Sequence, residues 1–442
     1  MVIVHVGIDD TDSPKGGCTT YVASVLAELL DGRKGISFLD YPNLIRLNPN
    51  IPFKTRGNGA VALRLEVSED LVDELMELIY QVVSELSHLK HGKTDPTIAF
   101  YIGGLTQRLI NFYEVSLREA VSRKLAFKIA ELEGVKVRYF KRGKGIVGAL
   151  AAIGGASLDD YTFELLAYRD ERVKGKRMVK LESVVRMDRE LRPMVYTNID
   201  YNKGRVLITP HGPDPVLFGI RGEHPLVLLR ALELIEVEEP LTRWTIFKTN
   251  QCTGSHLRTF VDFRSLRPYD SLRLRGTVTS EPLTIKGGHI LFRLRYSKGE
   301  VTCIVYRETG KLTKVVKLLK PGYLIEVGGG VRPPSTTHGI ALNLEEIRVI
   351  RTRPLIKLRS PKCPKCGASM KSMGKEKGYR CPKCGFRNPK ARKVKMELPP
   401  LLEPGLYMPS AKAFRHLTKP PSRFGFPPKG EVTYLFKPWH YP

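Results

Sequence analysis

Three carboxylates stand within four positions near the amino terminus, at Asp9, Asp10 and Asp12. They directly follow VIVHVGI at 2–8, an apolar run that predicts a buried strand. Without a cation, carboxylates this close repel one another and raise each other's pKa. A bound Mg²⁺ removes that cost, and Mg²⁺ prefers one or two carboxylates combined with phosphate oxygens. The acids therefore predict either a metal-bound phosphate site or, more simply, an acidic turn.

A glycine turn and the start of a helix come straight after these acids. Gly16 and Gly17 precede TTYVASVLAELL, whose apolar positions recur at helical spacing. The unsatisfied amides at a helix amino terminus attract anions. Acids for a metal and amides for phosphates predict a nucleoside triphosphate held through Mg²⁺, and hence phosphoryl transfer. The loop lacks the Walker A pattern, and its spacing leaves open that Thr19 or Thr20 serves only as a helix cap.

A second loop, RLNPNIPFKTRGNG at 46–59, contains cations that such a site needs. Arg46, Lys54 and Arg56 can neutralise phosphates. Asn58 lies between two glycines and tolerates a left-handed backbone, which lets the chain approach a ligand closely. A basic loop that faces solvent or RNA is the alternative.

Two further segments are rich in polar side chains. The turn HGPDP places His211 three residues before Asp214, and WTIFKTNQCTGSH follows at 244–256. Either segment can line a pocket, but a single His or Asp in a proline-rich turn is more often structural.

The four clustered cysteines have the spacing of a zinc ribbon. Two CPKCG knuckles are separated by fourteen residues, and together they present four thiolates to one tetrahedral ion. Four sulfur ligands leave no open position, so the predicted Zn²⁺ is structural; two disulfides or free thiols are the alternative. The predicted ligands are Cys363, Cys366, Cys381 and Cys384. Basic residues flank both knuckles and indicate a nucleic-acid surface, with a merely solvated basic face as the alternative: Lys362, Lys365, Lys383 and Arg387.

The elements that must position these residues change in character along the chain. Strands and helices alternate through about residue 240, with a helix predicted over 107–133. After about residue 270, five segments alternate in period two, and a short helical stretch at 310–319 separates the third from the fourth. This order is typical of an OB-fold, with another small β barrel as the alternative. The last forty residues are rich in proline and aromatic residues and look like an extended tail laid on another surface.

Charge and composition restrict the function further. The chain has 442 residues and carries 72 Lys and Arg against 45 Asp and Glu, a net charge of +27. This excess favours a polyanionic partner. No apolar run approaches the ~20 residues that a membrane span needs, and the first residues do not form a signal peptide. We therefore expect a soluble, cytoplasmic protein without a membrane partner.

Several motifs, in this order, resemble those of the archaeal tRNA(Ile) 2-agmatinylcytidine synthetases. They are GIDDTD with GGCTTY, RLNP-x-IP-x-KTRGNGA, G-x-VGALAAIG, TPHGPDPVLFGIRG and FKTNQ-x-T-x-x-HL, followed by the OB-fold and the ribbon. The resemblance covers essentially the whole chain. It implies a ligase that joins agmatine to the wobble cytidine of the isoleucine tRNA with a CAU anticodon, so that AUA is decoded. It further implies that ATP is consumed to AMP and phosphates, that the 2-oxo group of the cytosine is phosphorylated, and that the primary amine of agmatine displaces this phosphate.

The resemblance also assigns roles to residues. Asp9, Asp10 and Asp12 would hold Mg²⁺ and the triphosphate, and Thr19 would take the γ-phosphate. Agmatine carries a guanidinium, so its site needs a carboxylate; Asp214 with His211 is the candidate. The remaining candidates for binding ATP and Mg²⁺ lie in the two loops: Gly16, Gly17, Cys18, Thr20, Arg46, Lys54, Thr55, Arg56, Gly57 and Asn58.

The expected architecture is a multidomain α+β protein. It comprises a kinase-like α/β domain, a ferredoxin-like domain, an OB-fold β barrel and a zinc ribbon, and the last two would grip the tRNA. The expected limits are 1–113 for the ATP-binding domain, 114–240 for the ferredoxin-like domain, 241–269 for a connecting segment, 270–352 for the OB-fold, 353–395 for the ribbon and 396–442 for the tail.

Two other function classes remain. A non-catalytic, translation-factor-like RNA-binding protein would explain the charge and the barrel without any phosphoryl chemistry. A metal-dependent phosphoesterase would need more ligands near the acids. In the first hundred residues the only histidines are His5, inside the first strand, and His88 and His91, at a helix end.

Overall fold

A computed structural model describes the chain over residues 1–54, 57–170, 172–258, 260, 266–297, 299–335, 339–426, 429–430, 432 and 434–442. Within these ranges, no helix is both long and apolar enough to span a bilayer.

The first 154 residues form strands with helices on both faces. In chain order the elements are β1 (Val2–Asp9), α1 (Thr19–Leu30), β2 (Ile36–Phe38), β3 (Asn43–Arg46), β4 (Gly59–Val67), α2 (Val72–Leu86), β5 (Thr97–Ile102), α3 (Gln107–Arg118), α4 (Arg123–Leu132), β6 (Lys136–Tyr139) and α5 (Ile146–Gly154). β1 lies between β4 and β5 and is antiparallel to both. Alternate residues of β4 enter two cores: Val61 and Leu63 pack with α1 and α2, whereas Ala60 and Ala62 pack with α5. The period of two in the strands thus separates the two layers.

The helix expected over 107–133 is interrupted in the structure. α3 ends at Arg118, and α4 begins after Ser122, whose hydroxyl accepts a hydrogen bond from Leu125 N at 3.2 Å. Ser122 is therefore an N-cap inside the predicted helix, and the break allows residues 119–122 to line a cavity. The prediction of one continuous helix was wrong.

The next segment continues the same sheet. It contains β7 (Thr162–Tyr168), α6 (Leu181–Leu191), β8 (Ile199–Asp200), β9 (Arg205–Val206), β10 (Val216–Gly222), α7 (Pro225–Leu234) and β11 (Arg243–Thr249). β7 lies between β10 and β11, and β11 pairs in parallel with β3, giving the order β10-β7-β11-β3-β4-β1-β5-β6. The two amino-terminal layers therefore share one sheet. The limit expected after residue 113 falls within α3, and the segment 241–269 contains β11; the domain limits stay predictions.

The barrel has the strand order expected of an OB-fold. Its elements are β12 (Ser271–Val278), β13 (Leu283–Thr284), β14 (Ile290–Tyr296), β15 (Gly299–Val305), α8 (Lys311–Val316), β16 (Leu324–Arg332) and β17 (Ala341–Arg351). Pairings run β12-β16-β17-β15-β14, and β14 returns to β12, which closes the barrel. The described helix α8 stands between the third and fourth barrel strands, as predicted, so the OB-fold is confirmed.

A small ribbon follows the barrel. β18 (Leu355–Arg359) pairs with β22 (Val394–Leu398), and between them lie the short strands β19 (Lys371–Ser372), β20 (Tyr379–Arg380) and β21 (Arg387–Asn388). The two knuckles occupy the turns of this ribbon. Its core holds few apolar side chains besides the cysteines, which is why a metal is needed for its stability.

The carboxyl-terminal tail returns from the barrel to the first sheet. β23 (Gly405–Tyr407) pairs with β17, and β24 (His440–Tyr441) pairs with β11. Between them, Arg423 is fully buried; its Nη2 donates to Asp160 at 2.8 Å, and its Nε donates to Glu223. The tail is thus a strap across the molecule. Single turns of 3₁₀ helix occur at Glu69–Leu71, Ser255–Leu257, Arg307–Thr309, Ala411–Ala413 and Pro421–Arg423.

Candidate active site

A cavity of about 1150 Å³ lies where both halves of the long sheet, the loop at 46–59 and the tail meet. Most of the predicted site residues line it: Asp9, Asp10, Asp12, Cys18, Thr19, Thr20, Arg46, Lys54, Gly57, Asn58 and Asp214. Gly16, Gly17 and His211 are not among its lining residues. Thr55 and Arg56 lie outside the described residues. The structure therefore brings both predicted loops to one space.

The acids lie at the end of β1 in a strained turn. Asp10 has φ of 60°, a left-handed conformation that is uncommon for a residue with a side chain. Burial, then repulsion by Asp12, raises the pKa of Asp10 to about 7. Burial, then Asp10, raises the pKa of Asp9 well above its usual range. Such a site favours a cation that would remove the repulsion.

Neighbouring backbone holds these acids in place. The amide of Asp10 donates to Asp9 Oδ1 at 2.7 Å, and the amide of Asp95 donates to Asp10 Oδ2 at 3.2 Å. The Asp95 carboxylate in turn accepts amides of the loop 141–144, including those of Arg142 at 2.9 Å and Lys144 at 3.1 Å. Asp95 therefore ties the acid turn to a loop whose Lys144 also lines the cavity. Sequence reasoning did not identify Asp95.

The acids do not form a closed metal cage. Within the described ranges, the only group of three or more metal-binding side chains is the cysteine cluster. An open acid turn fits Mg²⁺ that is shared between one or two carboxylates and phosphate oxygens. His88 contacts Ser13 through Nδ1 at 3.1 Å rather than facing Asp9 or Asp10. The turn therefore lacks the additional ligands that a two-metal phosphoesterase would need.

The start of α1 presents two hydroxyls beside the acids. Cys18 is the N-cap, with extended backbone and no side-chain cap hydrogen bond, so neither threonine occupies the cap position. Thr19 Oγ1 lies 3.0 Å from Thr11 Oγ1, and Thr20 Oγ1 lies 3.0 Å from Cys18 Sγ. Both threonines line the cavity. A hydroxyl beside a metal-binding turn is a chemically suitable phosphoryl acceptor.

The loop at 46–59 is folded back on itself. Asn58 has φ of 52°, as the flanking glycines predicted, and its amide donates to Asn48 O at 2.9 Å. Lys54 Nζ donates to Ile51 O at 3.0 Å and also to Pro49 O. Its charge is thereby partly engaged by carbonyls of its own loop.

A second charged cluster, which the sequence did not predict, lies on the wall formed by β7, β10 and the tail. Glu164 accepts a hydrogen bond from Arg221 Nε at 2.9 Å and another from Gln251. His416 Nδ1 lies 2.9 Å from Gln251 Oε1 and 3.0 Å from Arg221 Nη2. The carboxylate within the otherwise apolar TFELLAY was the one available indication, because a charge in a buried strand is costly unless it is paired.

The two candidates for agmatine are separated by the structure. Asp214 is 6% exposed, lines the cavity and lies 3.5 Å from Arg177 Nη2, which offsets part of its charge. His211 is exposed and contacts Arg205. Asp214 is therefore placed to meet a ligand in the cavity and His211 is not.

The four predicted zinc ligands converge. One thiol sulfur from each cysteine lies within 4.8 Å of all the others. Cys363 Sγ is 3.5 Å from Cys384 Sγ, and Cys366 Sγ is 3.4 Å from Cys381 Sγ. Tetrahedral Zn²⁺ with Zn–S bonds of about 2.3 Å needs sulfurs about 3.8 Å apart. The donor set fits a structural Zn²⁺.

Three family models match separate parts of the chain. The TiaS TCKD domain matches residues 5–71, the TiaS FLD domain matches 143–256, and the TiaS C-terminal zinc ribbon domain matches 360–399. The first covers the acid turn and the loop at 46–59, and the second covers the wall that carries Glu164 and Arg221. The zinc ribbon is thereby confirmed.

Full-length relatives agree with these matches. The chain is 44% identical over 434 residues to the tRNA(Ile) 2-agmatinylcytidine synthetase TiaS of Staphylothermus marinus, covering 96% of this chain and 94% of that protein. It is 42% identical to the synthetase of the same name from Thermofilum pendens, covering 97% and 96% of the two chains.

Solved structures share the whole fold. A complex of TiaS with its isoleucine tRNA and ATP matches with a TM-score of 0.85 at 36% identity, covering 98% of this chain and 100% of that chain. A complex of TiaS with the same tRNA, AMPCPP and agmatine matches with a TM-score of 0.83 at 34% identity, again covering 98% and 100%. The multidomain α+β fold predicted from the sequence is confirmed. Because identity this high extends over nearly the whole length, the chain belongs to the family of tRNA(Ile) 2-agmatinylcytidine synthetases.

Proposed function

We propose that this chain is an ATP-dependent ligase that joins agmatine to the wobble cytidine of the isoleucine tRNA with a CAU anticodon. The observation that carries the proposal is the single cavity that joins the acid turn, Thr19 and the wall of Glu164 and Arg221. A fold that covers 98% of the chain is shared with a synthetase bound to its isoleucine tRNA, an ATP analogue and agmatine. A non-catalytic RNA-binding protein would not need this cavity.

The nucleotide half of the cavity supplies the phosphoryl chemistry. Asp9, Asp10 and Asp12 hold the triphosphate through Mg²⁺, which supplies charge neutralisation at the transferring phosphoryl group. Thr19 offers its hydroxyl at the start of α1 to accept the γ-phosphoryl group. Arg46 and the backbone around Gly57 and Asn58 complete the phosphate site. The raised pKa values of Asp9 and Asp10 support a cation at this turn.

The second half of the cavity holds agmatine and the base. The phosphoryl group is transferred to the 2-oxo group of the cytosine. The primary amine of agmatine then forms a bond to C2, the C2–O bond breaks, and inorganic phosphate leaves with the bonding electrons. Asp214 faces the guanidinium of agmatine across the cavity, where its partial pairing with Arg177 fixes its position.

The remaining parts bind the tRNA. The OB-fold and the basic zinc ribbon hold the tRNA backbone through lysine and arginine contacts. The wobble cytidine must leave its stack to reach the cavity. The proposed place of action is the cytoplasm, because the substrate is a tRNA.

The test is direct synthesis of the product. The purified chain is incubated with an unmodified transcript of this isoleucine tRNA, ATP and ¹⁴C-agmatine, and the tRNA is digested to nucleosides. We expect label in a modified cytidine that depends on ATP. A matched transcript with uridine at the wobble position remains unlabelled. Label in that control transcript, or none in either transcript, would overturn the proposal.

A further inference from the structure

Three side chains from distant parts of the sequence meet at one wall of the cavity. Arg46 ends β3, Arg221 belongs to β10, and His416 comes from the tail. Arg221 Nη2 lies 3.0 Å from His416 Nδ1. A Cβ atom added to Gly57 would lie 2.6 Å from Arg46 Nη1 and 2.8 Å from His416 Nε2. Both groups therefore border the same small region beside the backbone of Gly57.

The charges at this wall do not balance. Glu164 is the ion-pair partner of Arg221, with Nε to Oε1 at 2.9 Å. Over the described ranges, Arg46 makes no ion pair, and its buried Nε has no hydrogen-bond partner. Burial lowers the pKa of Arg46, which shows that its charge is poorly solvated. An unpaired guanidinium inside a cavity is costly unless an anionic ligand compensates it.

His416 is uncharged in this setting. The positive charge of Arg46, then burial and then Arg221 hold the pKa of His416 well below its usual range. The groups that face the imidazole are Arg46, Arg221 and the amide of Gln251, with Glu164 behind them. An anion bound between the two arginines would screen their charges and allow His416 to take up a proton. The histidine would then contribute a third positive donor.

We propose that Arg46, Arg221 and His416 form a subsite for one phosphate monoester group, next to but separate from the acid turn. Guanidinium groups match phosphate oxygens in geometry and charge. Arg46 interacts electrostatically with both Asp12 and Glu164, so it stands between the acid turn and the second wall. Resting on the proposed function, this position is where the phosphate on the activated cytidine would lie and from which it would leave.

The test uses inorganic phosphate and no other substrate. Histidine is labelled with ¹³C, and the His416 resonance is assigned by its loss in His416→Gln. We expect added phosphate to raise the pKa of His416. In Arg46→Gln we expect at least a tenfold weaker phosphate affinity, whereas Arg46→Lys retains most of it. The matched control is Arg186→Gln, which removes a surface arginine paired with Glu236 and leaves phosphate binding unchanged. Thermal melting checks that each variant is folded.

Three outcomes would overturn the subsite. In the first, phosphate leaves the titration of His416 unchanged or binds Arg46→Gln as tightly as the wild type. In the second, saturating Mg²⁺–ATP displaces the phosphate, so the anion site is part of the nucleotide site. In the third, a dinucleotide with only a phosphodiester raises the pKa of His416 as strongly as phosphate does, so the site serves the RNA backbone. None of these readouts requires agmatine incorporation, so failure of the proposed function and failure of the subsite are separately visible.

Discussion

No side chain fits between Gly148 and the carboxylate of Asp9. A Cβ atom on Gly148 would lie 1.9 Å from Asp9 Oδ2, and one on Gly145 would lie 2.8 Å from Asp9 O. The first turn of α5 therefore packs directly on the end of β1. This contact explains the G-x-VG motif structurally, because the glycines allow the helix to approach the first acid of the turn.

We expect Gly148→Ala to displace Asp9 and to impair the enzyme. Inserting a methyl group into a packed site costs about 1–3 kcal/mol, and the carboxylate is the group that must move. Agmatine incorporation should fall strongly, and the melting temperature should fall by a few degrees. The matched control is Gly92→Ala, because a Cβ there meets nothing within 4 Å. Equal activities of the two variants would show that the position of Asp9 does not matter.

The buried environment of His416 predicts a dependence of stability on pH. The pKa of His416 is lowered in the folded protein, so below about pH 6.5 the unfolded chain binds a proton here that the folded chain does not. Stability is therefore lost as the pH falls below that value. His416→Gln should show a shallower decline in the free energy of unfolding between about pH 6.5 and about pH 5. His5, whose pKa burial lowers to about 4, contributes equally to both proteins. Parallel curves would contradict the lowered pKa.

Loss of zinc should affect tRNA binding more than nucleotide binding. Cys366→Ser removes one of four ligands, and the ribbon has few apolar contacts to replace the metal. We expect the isoleucine tRNA to bind at least tenfold more weakly, with little change in the affinity for ATP. Ser369→Ala, in the same ribbon but outside the ligand set, is the matched control. If filter binding gives the same tRNA affinity for both variants, the ribbon is not a tRNA contact.

Local patterns were sufficient to predict the acid turn and its neighbours. The apolar run before Asp9 and the helical spacing after Thr19 predict β1 and α1 from adjacent residues alone. The cysteine spacing and the alternation after residue 270 likewise depend on short segments, so the ribbon and the barrel were predictable. In each case the residues that decide the structure are close in sequence.

The second wall of the cavity was not predictable in this way. Glu164, Arg221 and His416 are joined by the pairing of β7 with β10 and by a tail that crosses the molecule. Nothing local to His416 distinguishes it from any histidine in a proline-rich segment. Asp214 and His211 show the converse, because proximity in sequence did not place both side chains in the cavity. Sequence proximity predicts elements, whereas this wall depends on long-range pairing.

The most direct test of the account compares Thr19→Ala with Thr19→Ser. Both remove the methyl group, but only serine keeps the hydroxyl that we propose as the phosphoryl acceptor. Agmatine incorporation and affinity for the isoleucine tRNA are measured on the same preparations. The account predicts that alanine reduces incorporation to background, that serine retains a measurable fraction, and that tRNA affinity is unchanged in both. Full incorporation by Thr19→Ala would contradict it.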